Sequence, residues 1–89
     1  MKVSDQFILR KIAEDNILIP VGDAAISVKG LIILSESGAF LYNQLKEECT
    51  REDLIRALTG EYDVQEAEAA QDTDAFLEQM RQLKMLVEE

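Results

Sequence analysis

The side chains with which this chain could do chemistry are eighteen carboxylates and one thiol; it has no histidine. A working pair of carboxylates needs burial and separated pKa values, so that one holds a proton while the other accepts one. The close acid pairs, Glu47 with Glu48, Glu66 with Glu68 and Asp72 with Asp74, lie in polar stretches that predict solvated side chains. No catalytic residue is assigned from them. Cys49 follows two glutamates, and negative neighbours raise a thiol pKa, which makes it a poor nucleophile. Without histidine the commonest general base and metal ligand are missing, and the acidic stretches lack the Asp-x-Asp-x-Asp-Gly spacing that wraps a calcium ion. Gly22 and Gly30 flank a loop with no phosphate cradle or P-loop lysine. The expectation is a protein that is not an enzyme and takes no cofactor and no metal.

Charge narrows the partners further. Asp and Glu outnumber Lys and Arg by 18 to 9, a net charge of -9. Such a surface repels phosphate backbones, whose proteins bind by displacing counterions with Lys and Arg, and it repels anionic membranes. The single cysteine permits no intramolecular disulfide. The start, Met1-Lys2-Val3-Ser4-Asp5-Gln6, lacks the apolar stretch of a signal peptide, and no apolar run nears the roughly 20 residues of a membrane span. The expectation is one domain over residues 1–89, in the cytoplasm, with no nucleic acid and no membrane as partner.

What remains for recognition is the backbone, and the elements that must present it can be read from periodicity. Aliphatic and β-branched residues dominate before residue 35, and Ala, Glu, Leu and Gln after it, which reads as strands followed by helices, an α+β order. Phe7 to Ile12 and Ile17 to Val21 flank a polar Glu14-Asp15-Asn16 turn, a β-hairpin signature, with Pro20 placed where no ladder donor is needed. Leu31 to Leu34 are aliphatic without a break, preceded by the alternating Ile26 and Val28, so a third strand there is apolar on both faces. One face can pack on helices; the other needs a second cover.

Three helices are predicted after it. Ser35 caps the first, whose buried stripe is Gly38, Leu41, Tyr42 and Leu45. Thr50 and Asp53 form a near capping box for the second, with Leu54, Ile55 and Leu58 buried and Gly60 near its end. Asp63 and Glu66 form a cleaner box for a long third helix, with the stripe Ala69, Thr73, Phe76, Leu77, Met80 and Leu83, running out near Leu86.

A meander of three strands leaves Leu31 to Leu34 at an edge, and edges are normally guarded by charge, proline or a bulge. This one carries none of them. It is covered by a helix, paired in a homodimer, or used for β-augmentation, in which an extended peptide adds a strand and drops alternate side chains between the third strand and the third helix. About four backbone bonds at roughly 0.5–1.5 kcal/mol each and two or three aliphatic anchors at about 1.5–3 kcal/mol each offset about 2–5 kcal/mol of ordering and the cost of association. At the favourable end of these ranges the balance reaches about -8 kcal/mol, about micromolar.

Phe7-Ile8-Leu9-Arg10, Pro20-Val21-Gly22, Gly30 to Leu34 leading into Glu36-Ser37-Gly38-Ala39, Thr50, Leu54, Tyr62-Asp63-Val64, Asp72, Phe76-Leu77 and Leu83 to Leu86 together make the chain resemble the PqqD family over roughly Phe7 to Leu86. The family's Thr-Gly-Ala stands here as Ser37-Gly38-Ala39, and a glycine common near the end of its third helix is absent around Lys84-Met85. The resemblance implies a winged helix-turn-helix-like fold of three antiparallel strands and three helices. It also implies a recognition element for ribosomally made, post-translationally modified peptides, which holds a precursor's leader while a radical S-adenosylmethionine (radical SAM) or other peptide-modifying enzyme acts on the core. Carried onto this sequence, it points to Leu31, Ile32, Ile33 and Leu34 on the strand and to Thr73, Phe76, Leu77 and Met80 on the helix, each of the last four also readable as core. Two other readings stand beside it, a winged-helix transcriptional regulator and a structural homodimer. The first is disfavoured because Arg81 is the only basic residue between Asp63 and Leu83.

Overall fold

The predicted hairpin forms with a tighter turn than its polar residues suggested. In the computed structural model, which describes residues 1–27 and 30–88, strand β2 (Phe7–Ile12) and strand β3 (Asp15–Pro20) pair antiparallel from Phe7 opposite Pro20 to Ile12 opposite Asp15. Only Ala13 and Glu14 lie between them, and Ala13 takes a left-handed φ of 57°. Two-residue hairpin loops demand positive φ, for which Gly or Asn is the usual choice. Asp15 and Asn16, expected in the turn, are therefore strand residues.

Strand β4 (Ile32–Leu34) completes an antiparallel sheet in the order β2-β3-β4. Ahead of it a short helix α1 (Ala24–Ser27) carries Ile26, which was expected to alternate in a strand; Val28 lies outside the described residues. Helices α2 (Glu36–Gln44), α3 (Arg51–Glu61) and α4 (Glu66–Gln82) follow. The α+β, winged helix-turn-helix-like layout of three strands and then three helices holds, with α1 as an addition. A further two-stranded sheet, not foreseen, ties the ends of the chain: β1 (Lys2–Val3) pairs with β5 (Leu86–Val87).

Helix boundaries follow their caps. Ser35 accepts the Gly38 N–H at 3.1 Å, and Thr50 and Asp53 exchange bonds in a full capping box. The Thr50 backbone N–H, its strongest influence, holds the Asp53 carboxyl below the usual carboxylate range. Gly60 does not stop α3, which runs one residue past it. The box expected at Asp63 does not form; Gln65 is the N-cap of α4 and makes no side-chain bond there. The last turn of α4 closes with Met85 donating to the Met80 carbonyl at 2.9 Å and Lys84 to that of Arg81 at 3.0 Å. This is a Schellman motif, whose left-handed position glycine normally fills. Here Lys84 occupies it at φ 57°, the place where the sequence lacks a glycine. Lys84→Gly should therefore raise the unfolding free energy by about 0.5–1 kcal/mol, the relief of left-handed backbone less the extra entropy of an unfolded glycine. Urea denaturation measures it.

One face of the sheet packs on the helices through Phe7, Leu18 and Leu34, which join Leu41, Tyr42, Leu45, Leu54, Leu58, Ala69, Leu77, Met80 and Met85 in the core. Tyr42 pins α2 to the sheet, its hydroxyl donating to the Phe7 carbonyl at 3.2 Å. The opposite face presents Ile8, Ile12 and Ile33 to solvent although Ile17 between them is buried, so the described residues supply the second cover at the middle strand but not at Ile33.

Candidate functional site

The two edges of the sheet differ in length and in charge. Strand β2 is six residues long and bears Arg10 and Lys11, a guarded edge. Strand β4 has three apolar residues and, among the described residues, no strand on its far side.

Which backbone groups of β4 face outward follows from hairpin parity. In a two-residue hairpin the residues flanking the loop exchange both backbone bonds, and bonded pairs then recur at every second position. Bonded pairs on β2 and β3 are accordingly Ile12 with Asp15, Arg10 with Ile17 and Ile8 with Ile19, and the Val21 N–H donating to the Gln6 carbonyl at 2.8 Å continues the same series. Ile17 thus spends its backbone on β2, leaving Asn16 and Leu18 to bond Leu34 and Ile32. The N–H and C=O of Ile33, opposite Ile17, point to the open edge. Pro20 falls in the series that turns away from β2, so its missing N–H breaks no bond.

Beside this edge a groove of about 190 Å³ runs between β4, the start of α2 and one flank of α4, lined by Leu34, Ser35, Gly38, Asp72, Phe76 and Gln79 among others. Its floor depends on a close approach: a Cβ on Gly38 would sit 3.7 Å from Phe76 Cδ1 and 3.2 Å from the capping oxygen of Ser35. Ala75 also lines it, and its small side chain keeps the α4 wall low.

The structure distributes the expected site residues unequally. Leu31 and Ile33 are exposed, at 61% and 63%, and Ile32 packs partly on the core. Leu34 and Phe76 meet in the groove. Thr73, Leu77 and Met80 do not line it; they lie beneath the surface, at most 2% exposed. The family resemblance points to Thr73, Phe76, Leu77 and Met80 on the apolar stripe of α4, each also readable as core. Of that stripe Phe76 lines the groove, together with the neighbouring flank of Asp72, Ala75 and Gln79 at the same helical period, and that spacing was the available signal.

Thr73 is buried with its hydroxyl unpartnered. Since an unsatisfied buried hydroxyl costs about 1–3 kcal/mol, Thr73→Val should stabilise the fold by about 1 kcal/mol or more, as read from a thermal melt.

Other features offer less. The Cys49 thiol is raised first by burial and further by Asp53 and Glu48, against the lowering influence of the N-terminal amine. No group of three potential ligands gathers among the described residues. Arg81, the single basic residue of α4, is held by Glu88 at 3.0 and 3.2 Å. No helix among the described residues is long and apolar enough to cross a membrane.

A family model described as coenzyme PQQ synthesis protein D (PqqD) matches residues 21–86. No curated protein matches the chain. Two solved structures share its fold. One, described as TbiB1 in complex with the TbiA(beta) leader peptide, is 21% identical, with a TM-score of 0.76 over 100% of this chain and 98% of the other. The second, a lasso peptide synthetase B1 complexed with the leader peptide, is 17% identical, with a TM-score of 0.75 over 98% and 96%.

Proposed function

The chain belongs to the PqqD family, and from that premise we propose that it is a non-catalytic adaptor in the cytoplasm, its residues 1–89 acting as one recognition domain. It captures the leader of a ribosomally made precursor peptide by β-augmentation on β4 and presents the peptide to a modifying enzyme such as a radical SAM protein. The observation that carries this reading is the outward-facing backbone of Ile33 on an uncharged edge, next to a groove floored by Phe76.

A guest strand on that edge would bond the Ile33 N–H and C=O and send alternate side chains into the groove. Those side chains would meet Leu34, Phe76, Ala75 and Asp72, while Thr73, Leu77 and Met80 hold α4 in place from below. The remaining side chains of the guest would lie beside Ile33 and Leu31 on the exposed face. Two proteins of this fold are described with leader peptides bound, which supports the same use here. Titration of the isotopically labelled chain with its precursor's leader segment tests the site. Amide shifts should centre on Leu31 to Leu34 and the Asp72 to Gln79 flank; saturable binding that leaves those amides unmoved rejects it.

A further inference from the structure

We propose that the segment taken up by this groove is cationic on the side facing α4, carrying a Lys or Arg that pairs with Asp72 and is reinforced by Glu68. The inference rests on the docking reading above and adds the chemical class of the guest.

Charge is divided sharply along the chain. Residues 1–34 hold four acidic and four basic side chains, whereas residues 35–89 hold fourteen acidic and five basic, so the net -9 belongs to the helical part. The open edge lies on that boundary, with the neutral sheet as one wall and α4 as the other. On the α4 flanks away from the groove, Asp74 and Glu78 already have partners, while Glu66, in the first turn, has none among the described residues and lies away from the groove. Asp74 receives two bonds from Arg51 at 2.6 and 2.9 Å, and Glu78 faces Arg81, which Glu88 near the C-terminus also holds. Asp72, on the groove wall, makes no ion pair or hydrogen bond with any described residue. Glu68 stands one turn earlier on the same flank, at the i, i+4 spacing that puts two side chains side by side.

A helix start also opens on the groove, and its free N–H groups favour anions. That pull is already met, because Ser35 accepts from Gly38 and Glu36 occupies the first turn of α2. What the groove offers a guest is thus apolar contact with Leu34 and Phe76 plus an unanswered negative charge. The complementary occupant is an extended apolar segment with one well-placed cation. Like charge at that place would be repelled and wrong partners suppressed.

A display selection of random twelve-residue peptides tests this without knowledge of the natural precursor. It is run in parallel on the wild-type chain, on an Asp72→Asn, Glu68→Gln double variant and on Ile33→Pro, each checked for folding by circular dichroism. Wild-type winners should be enriched in Lys or Arg at one register position, and the enrichment should vanish on the double variant. Single winners with Lys changed to Gln should bind the wild type about two- to fivefold more weakly, the range of an exposed ion pair, and high salt should erase the difference. Winners that are neutral or acidic throughout, or basic winners indifferent to the double variant, overturn the charge rule while leaving β-augmentation intact. Winners that bind Ile33→Pro unimpaired, or no winners at all, overturn the docking reading and this inference with it.

Discussion

Leu77→Ala should lower the unfolding free energy by about 2–5 kcal/mol, out of a total of roughly 4–13 kcal/mol for a chain of this length, and should leave the affinity of the folded fraction for peptide nearly unchanged. Leu77 is 2% exposed and packs in the cluster formed by α3, α4 and the sheet. Truncation removes its buried methyl groups and opens a cavity that close-packed neighbours fill only in part. Sequence alone allowed Leu77 to be a peptide contact, and that role makes the opposite forecast: weaker binding at nearly constant stability. Urea unfolding, followed by a binding isotherm corrected for the folded fraction, separates the two. A Leu77→Ala protein with wild-type stability and lost affinity would refute the core placement.

Ile33→Pro should weaken peptide binding at least tenfold, about 1.4 kcal/mol, with little change in stability. Proline has no N–H, and at position 33 it removes the donor aimed at the open edge while its ring occupies the space of the incoming strand. The bonds that tie β4 to β3 belong to Ile32 and Leu34, so the ladder survives. Ile32→Pro gives the internal contrast, because it deletes a ladder donor and should destabilise the fold as well as the site. Ile33→Thr, which keeps the backbone donor on a strand-forming residue, should bind like wild type to within a few-fold. Calorimetric titration of all three variants decides the matter: equal binding by Ile33→Pro and Ile33→Thr would mean that the guest does not use this edge. A reversed pairing parity would exchange the behaviour of Ile32→Pro and Ile33→Pro.

Several features were legible without coordinates because they depend on neighbours a few residues apart. The Ser35 and Thr50 caps and the stripes of α2, α3 and α4 appear where periodicity and capping chemistry place them, and the strand expected over Leu31 to Leu34 forms one residue shorter, from Ile32. The family was legible too, through the order of its short motifs. The Asp63 box failed although its local pattern was the better one, since the chain reaches α4 with Gln65 at the cap position. A capping box is only an offer that the path of the preceding loop accepts or refuses.

The amino-acid order by itself determined the class of the molecule: an acidic chain without histidine, short strands before amphipathic helices, and one strand with no charge to protect it. Tertiary structure alone decided which atoms the open edge and the groove present. The two-residue turn at Ala13 set the pairing parity, and that parity, carried across β3, turned the backbone of Ile33 outward. Packing against α2 and α3 rolled α4 so that Thr73, Leu77 and Met80 went under and Asp72, Ala75 and Gln79 faced the groove. Periodicity is a property of nearby residues, but the roll of a helix and the parity of a ladder are fixed by contacts between residues far apart in the chain, which the local pattern does not specify.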